Sequence, residues 1–133
     1  MTITTSDPPT QPLDPATILV SCEADDIVSL YLRGEFDAFN APEITDRALR
    51  ALAADKHLVL DLSDTTFIDA SVIGALVAIQ AAANDRGRSA VLQLGTAPIV
   101  ERVVAITDIE DVLPRTETRV DAIARIRGLT AAA

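Results

Sequence analysis

Asp61 and Asp64 in "DLSD", the single histidine His57, the single cysteine Cys22 and the pair Asp69 and Ser71 are the side chains of this 133-residue chain whose type and spacing could do chemistry. Two carboxylates three residues apart could work as acid and base, or hold a cation. Asp61 and Asp64 instead fall at opposite ends of a strand-to-loop step, with no glycine-bearing calcium loop around them. Asp61 is expected to be a strand-end residue satisfied by backbone donors. His57 has no second imidazole with which to share a metal, and after the polar turn Asp55-Lys56 it reads as a polar residue at a strand edge. One cysteine excludes an internal disulfide and a multi-thiolate metal site. In "TILVSC", with no basic neighbour to favour a thiolate, Cys22 is expected to be a small buried hydrophobe. The five glycines never cluster into a phosphate-cradling loop. No catalytic residue, metal or cofactor is expected, and the chain reads as a non-enzyme.

The remaining pair sits in "FIDASVIGAL", residues 67 to 76, where a β-like segment turns through an acidic corner into an apolar run. A side-chain oxygen just before a helix satisfies one of the orphan N–H groups, and Asp69 suits that role. With Asp69 as N-cap, Ser71 falls near the second helical position, beside the positive end of the helix dipole. A phosphate is tolerated there, because helix N-termini accept anions. It would also add about −1.5 to −2 charges next to Asp69, enough to repel an acidic partner surface.

The elements that must position this corner are legible from periodicity. "TILVSCE" and "DIVSLYLRG" have period-two features, with Val28, Leu30 and Leu32 alternating with Ser29, Tyr31 and Arg33, and the polar turn Ala24-Asp25-Asp26 joins them into an antiparallel hairpin. After Gly34, Ile44, Ala48 and Leu52 form one helical stripe, with Asn40 as the expected N-cap and Pro42 in the first turn. "HLVLDLSD" reads as a buried strand. The helix from about Ala70 to Arg86, closed by Gly87, is apolar almost all round and is expected to be largely covered. "SAVLQLG" is a further strand and "PIVERVVAIT" a third helix, with Val100, Val103 and Val104 inward. A short strand near Val112 and a last helix from about Glu117 to Leu129 complete the order β-β-α-β-α-β-α-β-α. Strand–helix alternation after the hairpin implies parallel strands with right-handed crossovers. The expected fold is α/β: a mixed sheet of four to five strands, helices mainly on one face, and the first strand near an edge.

Residues 1–15 carry four of the seven prolines among Thr, Ser and Asp, and are expected to form a disordered tail ahead of one domain over residues 16–130. They lack the basic and apolar regions of a secretory signal, and no run of about 18 apolar residues is present. A cytoplasmic chain without membrane insertion is therefore expected. With 11 Lys and Arg against 20 Asp and Glu, the net charge of −9 repels nucleic-acid backbones.

Three segments in order resemble the STAS domain, the fold of anti-sigma factor antagonists and of sulfate-transporter tails. "LRGEFDAFNAPEI" (Leu32 to Ile44) is similar to the family's "L-x-G-E-hydrophobic-D" strand end. "LVLDLSDTTFIDASVIGAL" (Leu58 to Leu76) resembles its central signature, which ends "D-S-S-G-hydrophobic-G". "APIVERVVAITDIEDVL" (Ala97 to Leu113) is similar to the later "P-x-V-x-R-hydrophobic" helix. The resemblance implies a STAS fold and a regulatory role in transcription by partner switching. An unphosphorylated antagonist binds an anti-sigma factor that is also a serine kinase of the GHKL type and releases a sigma factor; phosphorylation after the signature aspartate breaks the complex. It places the partner surface at Glu35, Phe36, Asp37 and Asn40 and at Asp69, Ala70, Ser71, Val72, Ile73 and Gly74. Asp69 matches the signature aspartate, Gly74 the final glycine, and Asp37 the acidic residue of the neighbouring loop.

The chain departs from the pattern at the phospho-acceptor itself, which is Ala70. Ser71 holds the second serine position, about 100° further round the helix. Val72 replaces the usual glycine and adds bulk where a kinase cleft would close, and Asp108 stands where the third helix often ends in Gly. Two readings follow: Ser71 has become the acceptor, or the domain binds without being switched. The competing class is a STAS accessory subunit docking on the ATPase of a lipid or small-molecule transporter. Sensing of a small ligand by an apolar groove beside the second helix is a third reading, and homodimerisation is left open.

Overall fold

The structure, a computed structural model, describes residues 16–132; the tail expected over residues 1–15 lies outside the described residues. Strand β1 (Thr17–Ala24) turns through Asp25 and Asp26 into β2 (Ile27–Glu35), and the two pair antiparallel with Val20 opposite Leu30. Beyond β2 lie β3 (His57–Leu62), β5 (Ala90–Leu94) and β6 (Arg115–Thr116), each parallel to its neighbour, so the sheet runs β1-β2-β3-β5-β6. A strand that the periodicity did not reveal, β4 (Thr65–Phe67), pairs with the far end of β2, Gly34 opposite Thr65 and Glu35 opposite Phe67. Helices α1 (Ala41–Ala53), α2 (Ala70–Asp85), α3 (Pro98–Thr107) and α4 (Arg119–Ala132) complete the fold.

Alternation along the strands makes two cores. Val28, Leu30 and Leu32 of β2, Leu58, Leu60 and Leu62 of β3 and Leu92 and Leu94 of β5 face one side. There they meet the expected α1 stripe Ile44, Ala48 and Leu52, with α2 and Val100 and Val104 of α3. The intervening Ile27, Val59 and Val91 face the other side and meet Ala122 and Ile126 of α4. All six residues of β3 are buried, which is why its sequence reads as a run rather than an alternation.

Several expectations change. The last strand lies at Arg115–Thr116, not near Val112, which follows a 3₁₀ turn over Ile109–Asp111. Asp108 ends α3 in the left-handed region (φ 54°), the conformation for which a glycine is the usual choice and which Asp tolerates better than most residues. Leu113 then closes onto Ile109 through its N–H, and the extended chain resumes only after Pro114. The last helix starts at Arg119 because Thr118 caps it, its Oγ1 accepting from the Asp121 N–H at 3.1 Å. Cys22 is exposed, not buried: it lies on the edge strand, where no further strand shields it. Helix α2 is not covered all round. Its outward residues Ala70, Ser71, Gly74, Val77, Ala78 and Ala81 are exposed, because its neighbours lie on its flanks and beneath it.

Candidate functional site

The corner at residues 67–74 is built where β2 overruns the sheet. The Gly34 N–H donates to the Asp64 carbonyl at 3.2 Å and the Phe36 N–H to the Phe67 carbonyl at 2.9 Å, so the chain leaving β2 runs beside the chain entering α2. Gly34 has φ of 101°, which a residue with a Cβ rarely adopts. The two segments singled out in the sequence, 35–40 and 69–74, therefore share one end of the sheet.

Asp69 is the N-cap of α2: its Oδ1 accepts from the Ser71 N–H at 2.9 Å and from the Val72 N–H at 3.2 Å. Ala70 and Ser71 occupy the first two helical positions and are exposed. Gly74, one turn on, faces outward, and a Cβ built there would meet nothing within 4 Å. Nothing within the described fold requires a glycine at 74; its effect is a low surface beside Ser71.

The facing loop is locked by its own side chains. Asp37 donates its N–H to Asn40 Oδ1 at 2.8 Å, Asp37 Oδ1 accepts from the Phe39 N–H at 2.9 Å, and Asn40 Nδ2 donates to the Glu35 carbonyl at 3.2 Å. Asn40 holds the expected N-cap position of α1, but its side chain turns back into the loop and does not cap the helix. Glu35, Asp37 and Phe39 are exposed.

Three residues expected at the surface are not available there. Phe36 and Val72 have no solvent exposure, and Ile73 retains 9 %. Phe36 continues the inward phase of Leu30 and Leu32. Val72 and Ile73 point into the core that α2 covers, so the added bulk at 72 lies under the corner and obstructs no approach. Phe39, which sequence reasoning passed over, is 94 % exposed. Phe39 lies in the turn beyond the end of β2, outside the reach of the strand's alternation, so no local period marks it as exposed.

The other candidates have structural partners. His57, expected at a strand edge, is buried at the opposite end of β3, with Nδ1 accepting from the Ser89 N–H at 3.0 Å. Burial, and then the neighbouring Arg88 guanidinium, lower its pKa and so favour the neutral imidazole. Asp61 does accept a backbone donor, the Ser63 N–H at 2.9 Å, but its other oxygen takes the Arg119 guanidinium from α4, an ion pair the sequence did not reveal. Asp64 accepts from the Tyr31 hydroxyl, which raises the phenol's pKa. Among the described residues no group of three His, Cys, Asp or Glu side chains is arranged to hold a metal.

Comparison with known proteins agrees with this architecture. An anti-sigma factor antagonist from Mycobacterium paratuberculosis superposes with a TM-score of 0.72 at 24% identity, covering 85% of this chain and 95% of that one. The anti-sigma factor antagonist SpoIIAA in its unphosphorylated form gives 0.72 at 18% identity, over 84% and 97%. The Bacillus cell fate determinant SpoIIAA in the phosphorylated form gives 0.64 at 16%, over 83% and 99%. No helix among the described residues is long and apolar enough to cross a membrane. The STAS domain model matches residues 20–123, which include the β2 overrun, the capped start of α2 and the left-handed end of α3, and the chain belongs to the STAS domain family.

Proposed function

We propose that this chain is a regulatory binding protein of the anti-sigma factor antagonist type, which engages an anti-sigma factor of the GHKL serine-kinase class and thereby frees a sigma factor. The observation that carries the reading is the exposed Ser71 at the second position of a capped helix, beside the ordered acidic loop 35–40. The likeness in fold to solved antagonists supports it. The binding surface consists of Glu35, Asp37, Asn40, Asp69, Ala70, Ser71 and Gly74. Phe36, Val72 and Ile73 set its shape from beneath.

Ser71 is the acceptor in this reading. The Ser71 and Val72 amides are already taken by Asp69, so a phosphate on Ser71 would not be cradled by them. Its charge would add to that of Asp69 and act outward at the start of α2, against an acidic region of the partner that faces the helix start.

Affinity purification of the full chain from its native cells, with identification of bound proteins by mass spectrometry, tests the reading. Recovery of a GHKL-type kinase supports it. Recovery of a transporter ATPase subunit in its place overturns it in favour of an accessory subunit.

A further inference from the structure

Among the described residues, Phe39 is the most open of the exposed large apolar side chains, at 94 %, ahead of Val120 at 76 % and Ile106 at 72 %. A lone exposed apolar residue is ordinary on a protein surface. Three observations set Phe39 apart. It is held: the Phe39 N–H is fixed by Asp37 Oδ1, and the loop on either side by the two hydrogen bonds of the Asn40 amide. It stands among acids: Glu35 and Asp37 share a shallow cleft with it and Asn40, and so does Glu43, whose carboxylate is paired with Arg47 at 2.9 Å. It lies on the loop that runs beside the start of α2, through the Phe36–Phe67 backbone bond.

An aromatic side chain contributes large contact area for the freezing of only two torsions, and a loop ordered before contact has little left to lose on binding. Aromatic anchors seated in desolvated pockets dominate interface energies. A ring surrounded by carboxylates sets the chemistry of what receives it, because the pocket must be apolar within and basic at its rim.

We infer that Phe39 is the aromatic anchor of the partner surface, seated in an apolar pocket of the partner that is rimmed by Lys or Arg side chains facing Glu35 and Asp37. The inference rests on the proposed function for its partner, the GHKL-type kinase, and adds the residue and the receiving chemistry.

The test is titration calorimetry of the purified kinase recovered with the wild-type chain. Phe39→Ala should weaken binding by about 30-fold or more, which corresponds to about 2 kcal/mol. Phe39→Leu should recover part of the loss. Ile106→Ala, on the outer side of α3, should stay within about twofold of wild type. Glu35→Gln with Asp37→Asn should slow association and flatten its salt dependence. Circular dichroism melts of each variant exclude unfolding, and a photo-crosslinking residue at position 39 should label the kinase while one at position 120 should not. Wild-type affinity in a folded Phe39→Ala, or no crosslink from position 39, overturns the anchor and leaves the proposed function standing. If the wild-type chain binds no such kinase, both fall.

Discussion

Arg119, near the start of α4, donates its guanidinium to the buried carboxylate of Asp61 on β3, across 58 residues of sequence. The same guanidinium reaches Glu23 of β1, Ser29 of β2 and Gln93 of β5, so one side chain ties the helix to four strands. Among the described residues few apolar side chains cover this face: Ala122 and Ile126 of α4 over Ile27, Val59 and Val91, with Ala24 and Ile123 at the margin. The polar tie therefore carries much of the docking of α4.

Removing Arg119 leaves Asp61 buried without its counter-charge, a loss of the kind that costs about 3–5 kcal/mol when both partners are inaccessible. Arg119 is about a third exposed (31%), which screens the pair and lowers the expected cost of Arg119→Met to about 2 kcal/mol. Urea unfolding should show a lower midpoint, and the double variant Asp61→Leu with Arg119→Met should recover part of the loss. Equal stability of Arg119→Met and wild type would rule out the tie.

Asp69→Ala should destabilise the fold by about 1 kcal/mol, because the Ser71 and Val72 amides lose their acceptor. Asp69→Asn keeps an oxygen at the cap and should lose much less. Thermal unfolding of the two variants side by side separates the cap from the charge.

Incubation of the wild-type chain with its GHKL-type kinase and ATP should add one phosphate by intact-mass measurement, and Ser71→Ala should accept none. The phosphorylated form should bind the kinase at least about tenfold more weakly, through the charge added beside Asp69. An unlabelled wild-type chain that still binds would make the domain a constitutive binder.

His57 makes stability depend on pH. Its folded pKa lies below the usual imidazole value of about 6.5, chiefly through burial and then through Arg88, so the unfolded chain takes up the proton more readily than the folded one. The contribution is complete above about pH 6.5 and is lost as the pH falls from there through the folded value. His57→Asn, which keeps an acceptor for the Ser89 N–H, should flatten the pH profile of the urea midpoint over that interval. A wild-type profile that is level below pH 6.5 would contradict it.

Local rules account for what the sequence determined by itself. The β1–β2 hairpin, the α1 stripe of Ile44, Ala48 and Leu52, the buried β3 and the Asp69 cap with Ser71 two residues on all depend on groups within a few residues of one another. Periodicity and capping act over that range, so they are visible in the letters. Only the tertiary structure decided which faces find a cover. Cys22 sits in an apolar string and is exposed because β1 is an edge; the outer side of α2 is apolar and open because its neighbours flank it. β4 is three residues long and pairs with β2 only because β2 overruns the sheet. The same overrun turns Phe36 inward and leaves Phe39 in water, a distinction between two phenylalanines three residues apart. Arg119 and Asp61 meet because α4 crosses the second face of the sheet, and no local period encodes a contact made by a helix returning from the end of the chain.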